Sequence, residues 1–380
     1  MWRTAYPPKA NRRPAPGALS GRKARQGQPV RVFSTDRNDA APRPHQPAPA
    51  MANDLTPKIP PGISAEDARG ARAHRWLAQV VLLSLLGTAL LVLLILALSA
   101  ANRLPAAPLT ATACLDEKLA FARSAALEEA TLIAVGSSAT WRNLDLQRLE
   151  QAIPELRALN VAACYLHIDQ TAFLSELFLE RAAKVTHVLT VLAPRDFEKC
   201  DPRETEIAQP LLVRAHLNGL VPSWFVHLIN FRPVYILRQA FSIKAERQDL
   251  FLSDRYGSSP AYRANTWNPP PTFDERCFEA LAKLEATVAA KGARLAVATV
   301  PVMPRWLAEF DPSSCMISRW IEGIRARLGP RSVFIDGRAF AWPDEAFADP
   351  VHLLWPMGAE YTDFIATALV TDANNRAGHP

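Results

Sequence analysis

Thr131–Leu144, TLIAVGSSATWRNL, decides how the rest of the chain reads. Leu132, Ile133, Ala134 and Val135 run straight into Gly136-Ser137-Ser138. A short apolar run closed by turn residues predicts a buried strand, and the polar segment behind it predicts the start of a helix. Such a turn sets a serine hydroxyl just past the carboxyl end of a strand, where open α/β sheets bind ligands. Gly136 permits backbone conformations that a Cβ resists. The same Ser137-Ser138 pair also suits a plain helix N-cap, since serine hydroxyls satisfy free N–H groups there. A nucleophilic serine needs a base, and the base needs an orienting acid. The chain offers both far downstream, in Asp349-Pro350-Val351-His352.

Outward from this turn the apolar runs alternate with helical patterns. Strands are predicted at 131–135, Asn160–Ile168, Thr186–Ala193, Arg294–Val302 and Ser332–Ile335. Helices are predicted over Leu115–Ala130, Leu144–Leu159, Thr171–Ala183, Phe278–Lys291, Ile317–Leu328 and Glu360–Val370. This alternation predicts an α/β domain over 113–375, with a mostly parallel five-stranded sheet between two helix layers. Residues 201–276 break the rhythm. They carry Trp224, Phe225, Phe231, Tyr235, Tyr256, Tyr262 and Trp267, and read as an inserted subdomain or lid. Its aromatics suit ordinary packing, or a sugar-binding wall that buries apolar sugar faces. The apolar run Leu220–Phe241 could also lie against a membrane surface, while Arg232 and Pro233 argue against a second span.

Trp76–Leu98 is 23 residues without a charge. At about 1.5 Å per residue it crosses a hydrocarbon core of about 30 Å. Arg69, Arg72 and Arg75 precede it, so the positive-inside rule places the N-terminus in the cytoplasm and the domain in the periplasm or an equivalent extracytoplasmic space. A cleaved signal peptide is the minor alternative, its apolar region being shorter at about 7–15 residues. Residues 1–75 form a Pro-rich basic tail expected to be disordered; Met51 is an alternative start. Residues 99–112 read as a linker.

The net charge of +6 is unevenly spread. Residues 1–75 hold 14 of the 43 basic and 5 of the 37 acidic residues, a net of +9, which leaves −3 for the remainder. The basic excess therefore belongs to the tail, and the near-neutral remainder makes no case for a nucleic-acid-binding domain. Five cysteines, 114, 164, 200, 277 and 315, show no C-x-x-C or zinc-finger spacing. Outside the cytoplasm they allow one or two disulfides. Cys200 with Cys277 is the expected pair, and Cys164, on an apolar run, reads as a buried free thiol.

The strand–Gly136-Ser137-Ser138 turn near the start of an α/β domain, with Asp349-x-x-His352-Leu353 and Gly358 before the last helix, resembles the SGNH (GDSL-like) hydrolase superfamily. Ser137 stands where the family's first block carries aspartate, a variant similar to a cell-envelope branch. The resemblance covers about Thr131–Val370 apart from the insertion, and implies a three-layer α/β/α, flavodoxin-like fold. It implies that Ser138 is the nucleophile, His352 the base and Asp349 the residue orienting His352. Gly136, Ser137 and Arg195 would shape the oxyanion or substrate site; Arg142 and Asn143 lie near enough to orient substrate, and suit plain helix-surface positions equally well. The chain departs from the family in two places. No glycine follows the second strand, where His167-Ile168-Asp169-Gln170 stands. Ala193-Pro194-Arg195-Asp196 replaces Gly-x-Asn-Asp, which puts Arg195 at the asparagine position, or leaves Arg195-Asp196 as a structural ion pair.

Two functional expectations follow. One is a membrane-anchored serine esterase or O-acyltransferase, acting on acetyl or other acyl groups of a cell-envelope or exported polysaccharide; no metal, nucleotide or other cofactor is implied. The other is a weak or inactive domain that binds glycan or scaffolds a membrane-bound acyltransferase. A nucleotide-binding protein fits poorly, because Gly136-Ser137-Ser138 has neither the G-x-G-x-x-G nor the P-loop lysine pattern.

Overall fold

A computed structural model describes residues 65–203, 205, 207–241, 254–259, 261 and 269–377. Tyr262, Trp267 and the tail before residue 65 lie outside the described residues. Backbone contacts divide the chain at Gly70/Ala71, and the description below concerns residues from Ala71 onward. Helix α1, Ala65–Ala100, contains a segment, Arg72–Ala100, long and apolar enough to cross a membrane.

Beyond it stand α2 (Ala113–Ser124), β1 (Leu132–Ala134), α3 (Ser138–Asn143), α4 (Leu146–Ala152), β2 (Ala158–Asn160), α5 (Ile168–Arg181) and β3 (His187–Leu192). The insertion supplies α6 (Pro210–Leu217), α7 (Ser223–Ile229) and α8 (Pro233–Phe241). Then follow α9 (Glu275–Ala290), β4 (Arg294–Thr299), α10 (Pro304–Phe310), α11 (Cys315–Arg325), β5 (Val333–Ile335), the short pair β6 (Phe347–Asp349) and β7 (His352–Leu353), and α12 (Met357–Ala377).

The five main strands form one sheet in the order β2-β1-β3-β4-β5, parallel throughout. Side chains alternate across a strand, so each strand feeds two cores. Ile133, Val188, Leu192, Leu295 and Val297 join a core with residues of α2, α5, α9 and α11. Leu132, Ala134, Leu189, Val191, Ala296 and Ala298 join a second with residues of α3, α4 and α12. Strands as largely apolar as these are what burial on both faces demands.

Several expectations change in detail. The second strand is Ala158–Asn160 and closes where the sequence pattern opens it. The run after Asn160 stays beside β1 and the turn that follows it, with the Val161 N–H on the Ala134 carbonyl at 2.9 Å and the Ala163 N–H on the Gly136 carbonyl at 3.0 Å, while Asn160 Oδ1 accepts the Ala162 N–H at 3.1 Å. Of the helix expected over Leu144–Leu159 only α4, Leu146–Ala152, forms, and the end of that span belongs to β2; Asp145 caps α4, and Ser137 caps α3, which precedes it. Cys164 is not a free thiol. It bonds Cys114 at a Cα separation of 6.2 Å, while Cys200 bonds Cys277 at 5.3 Å; both separations lie within disulfide reach. The exposed Cys315 is left over.

The stretch expected as a linker is instead packed. Ala107, Leu109 and Thr110 are buried. The Asp116 carboxylate accepts the N–H groups of Leu109 at 3.0 Å and Thr110 at 2.7 Å. Burial pushes the Asp116 carboxyl up to about 7, against these hydrogen bonds and the nearby Arg232 charge, which favour the ionised form.

Candidate active site

The chain order reverses at β1. β2 lies on one side of it and β3 to β5 on the other. Such a switch point opens a crevice at the carboxyl ends of the strands. The loops after β1 and β3 both end there, and they carry Gly136-Ser137-Ser138 and Pro194-Arg195-Asp196.

Gly136 has φ +143°, and a Cβ there would stand 2.2 Å from the Thr140 hydroxyl oxygen. Only glycine fits. Thr140 in turn donates to the Val191 carbonyl at 3.0 Å and accepts the Val191 N–H at 2.9 Å, which fastens α3 to β3. Ser137 is the N-cap and accepts the Ala139 N–H at 3.2 Å. Ser138 is the first helical residue and is half-exposed, so its hydroxyl stands outside the cap. The two serines thus separate: Ser137 caps the helix, and Ser138 opens it.

Asp349 and His352 meet at the β6–β7 turn. His352 Nδ1 lies 2.9 and 2.8 Å from the two Asp349 carboxylate oxygens. Asp349 Oδ1 also accepts the N–H groups of Val351 and His352, both at 3.0 Å. A carboxylate bound this way holds the proton on Nδ1 and leaves the Nε2 lone pair free. Nε2 is buried and has no hydrogen-bond partner among the described residues. It makes no bond to Ser138; such a bond often closes only on substrate.

Asn143 joins the two halves. Its amide donates to the Val351 carbonyl at 2.8 Å and its carbonyl oxygen accepts the Leu353 N–H at 2.8 Å. Fully buried and bonded at both ends, it clamps the helix bearing Ser138 to the loop bearing His352. It orients the loop, where the sequence suggested that it orients substrate. Its neighbour Arg142 lies over the Trp141 ring at 4.7 Å. Burial lowers its pKa, and the Tyr165 and Asp349 charges oppose that.

The turn after β3 differs from the ion pair considered from sequence. Arg195 reaches Glu198 at 3.4 Å and the Pro269 carbonyl at 3.2 Å. Asp196 points inward, accepts the Ala193 N–H at 2.9 Å and hydrogen-bonds the Ser137 hydroxyl. Burial pushes its carboxyl up to about 7. Arg195, Asp349, Pro350 and Val351 line one side of an apolar pocket of about 40 Å³, closed by Val300 and Trp306.

Pattern reading missed Asn160 and Lys118. Asn160, buried at the end of β2, donates to the Thr140 carbonyl at 3.2 Å and to the Ser258 hydroxyl at 3.1 Å. Lys118 Nζ donates to the Asn160 carbonyl at 3.0 Å and to the Gly257 carbonyl, and lies 5.1 Å from the Trp141 ring centre. Burial lowers its pKa to about 7. Both residues support α3 from beneath and bind the returning insertion to the sheet. A lone lysine in an amphipathic helix pattern carries no signal of this.

No protein-family model matches the chain, and comparison with curated proteins finds no match.

Proposed function

We propose that this is a membrane-anchored serine esterase or O-acyltransferase with an SGNH-like, three-layer flavodoxin-like domain. α1 would anchor it in the inner or cell membrane, with the domain outside the cytoplasm and an acylated envelope or exported polysaccharide as its substrate class. The observation that carries the chemistry is the Asp349–His352 pair, whose Nδ1 is held by carboxylate while Nε2 is buried and unpartnered. The strand order 2-1-3-4-5, which flavodoxin-like folds share, and the nucleophile turn at the switch point support the fold assignment.

In this mechanism the Ser138 hydroxyl attacks the ester carbonyl carbon while His352 Nε2 takes its proton. Asp349 stabilises the resulting imidazolium. The tetrahedral intermediate collapses, the alcohol leaves with the proton from His352, and the acyl group remains on Ser138. Water, or a sugar hydroxyl in a transferase, then attacks the acyl-enzyme by the reverse proton route. The N–H of Ser138, at the first helical position, has no partner within the helix and is one donor for the oxyanion.

A second reading rests on Arg195. It occupies the position of the family's asparagine donor, yet its guanidinium is turned to Glu198 and Pro269. Loss of one oxyanion donor costs about 2.7–4 kcal/mol, which suits a glycan-binding or scaffolding domain.

A serine-reactive fluorophosphonate applied to the full chain in detergent, with acetyl-ester hydrolysis measured in parallel, separates the two. The esterase requires an adduct on Ser138, and a fall in turnover of at least about 10²-fold in Ser138→Ala and His352→Ala. Absence of both, with polysaccharide binding retained in Ser138→Ala, favours the binding domain.

A further inference from the structure

We propose that the helices α6 to α8 form a lipid-docking face, seated in the interfacial layer at the C-terminal end of α1. The proposal rests on the reading of α1 as a membrane span.

Beyond Ala100, seven of the ten exposed large apolar side chains among the described residues fall between Leu211 and Leu237. Six of them, Leu220, Phe225, Ile229, Phe231, Val234 and Leu237, lie within one stretch of α7, α8 and their flanks. A soluble surface rarely leaves so much contiguous apolar area open. The interior faces of the same helices are satisfied, since Val226 and Ile236 are buried. The exposed set is therefore a second face, and packing of the domain does not account for it.

What covers that face follows from where the chain holds it. α1 ends in a tight turn, with Arg103 and Leu104 N–H groups bonded back to the Leu98 carbonyl at 2.8 and 3.1 Å. The next residues are strapped to α7 and α8. The Pro105 carbonyl lies 3.1 Å from His227 Nε2 and the Pro108 carbonyl accepts from Asn230 at 3.0 Å. The Thr110 carbonyl accepts from Arg232 at 2.7 Å. Only a handful of residues separate the end of the span from these contacts, and each extends at most about 3.6 Å. The apolar face thus cannot stand far from the bilayer.

Two further observations agree. On α1 itself Ile95 is buried and Leu91, Val92, Leu98 and Ser99 are half-buried, all on one helical face. Protein therefore covers one face of the last turns of the span, while Leu93, Leu94 and Leu96 on the other face stay exposed. In addition, residues 207–241 contain no Asp or Glu, and hold Arg214, Arg232 and Arg238; Arg214 pairs with Glu180 of α5. A stretch whose own charges are all basic suits an anionic lipid surface, in which such helices sit about 5–10 Å deep.

The test uses the full chain with Cys315→Ser, in nanodiscs of equal parts phosphatidylcholine and phosphatidylglycerol. Val234→Cys and Ile229→Cys carry a nitrobenzoxadiazole label, and Glu360→Cys serves as the exposed control. Co-elution with the discs reads the span. Quenching by doxyl lipid against quenching by aqueous iodide reads the docking. The expected result is at least two-fold stronger doxyl quenching at 229 and 234 than at 360, with iodide protection. Iodide-accessible labels in co-eluting protein would overturn the docking and leave the span intact. Labels shielded from both quenchers would mean that protein, such as a second copy, covers the face, which also overturns it. Failure to co-elute would remove the span and the docking together.

Discussion

The Gly136-Ser137-Ser138 turn and the α6–α8 insertion use similar residues to opposite ends. Around Gly136–Asn143 nearly every polar atom is committed. Thr140 is fixed to β3, Ser137 to Asp196 and to its own helix, and Asn143 to the loop that holds His352. Around Leu220–Leu237 the polar groups hold the chain just after α1, and the apolar side chains are left outside. The first region spends its hydrogen bonds on placing one hydroxyl and one imidazole; the second spends them on placing a surface. Burial of a hydrogen-bonded network makes the site intolerant of substitution, whereas an exposed apolar face tolerates change in the isolated protein and matters only where something covers it.

Three substitutions test that contrast, from the largest effect to the smallest. Asn143→Ala removes two buried hydrogen bonds and leaves the Val351 carbonyl and Leu353 N–H unsatisfied. We expect it to lower unfolding free energy by about 2–4 kcal/mol, seen as a lower urea midpoint, and to lower ester turnover along with Ser138→Ala. A wild-type midpoint would show that the clamp is dispensable and that the site is no more rigid than the insertion.

Asp196→Asn tests the buried carboxyl beneath Ser137. Because burial raises its pKa to about 7, the native state holds a proton there that the unfolded chain loses near pH 4. Its contribution is fully present below about pH 4 and is lost as pH rises through about 7. The wild type should therefore lose stability relative to the asparagine variant between these limits, by up to about 1.4 kcal/mol per pH unit. Parallel urea midpoints across the window would exclude a raised pKa at Asp196.

Val234→Ser lies at the other extreme. In detergent its unfolding midpoint should stay within about 0.5 kcal/mol of wild type. A larger loss would mean that Val234 packs into the domain after all, and would erase the distinction between the two regions.

The departures from pattern are instructive residue by residue. The strand–turn–helix at Gly136-Ser137-Ser138 and the Asp349–His352 pairing were legible because a glycine-serine turn after an apolar run and an Asp-x-x-His spacing are short-range signals. The part played by Asn143 was not, because the atoms it bonds lie about 210 residues away in sequence, at Val351 and Leu353. The Cys114–Cys164 bond was likewise invisible, since nothing local distinguishes a buried thiol from a paired one. Residues 104–110 read as a linker from their prolines and alanines, yet Asp116 and the insertion bury them.

By itself the sequence determined the local order of this protein. An uncharged run of 23 residues is long enough to span, apolar runs between helical patterns become strands of a parallel sheet, and a glycine must stand where φ is positive before the serines. These follow from interactions within a few residues, and from the rule that apolar surface must be covered. The tertiary structure alone decided the strand order, the division of labour between Ser137 and Ser138, the inward turn of Asp196 and which apolar face of the insertion stays open. Each of those depends on which distant groups arrive to satisfy a hydrogen bond or fill a surface, and that is set only when the whole chain has packed.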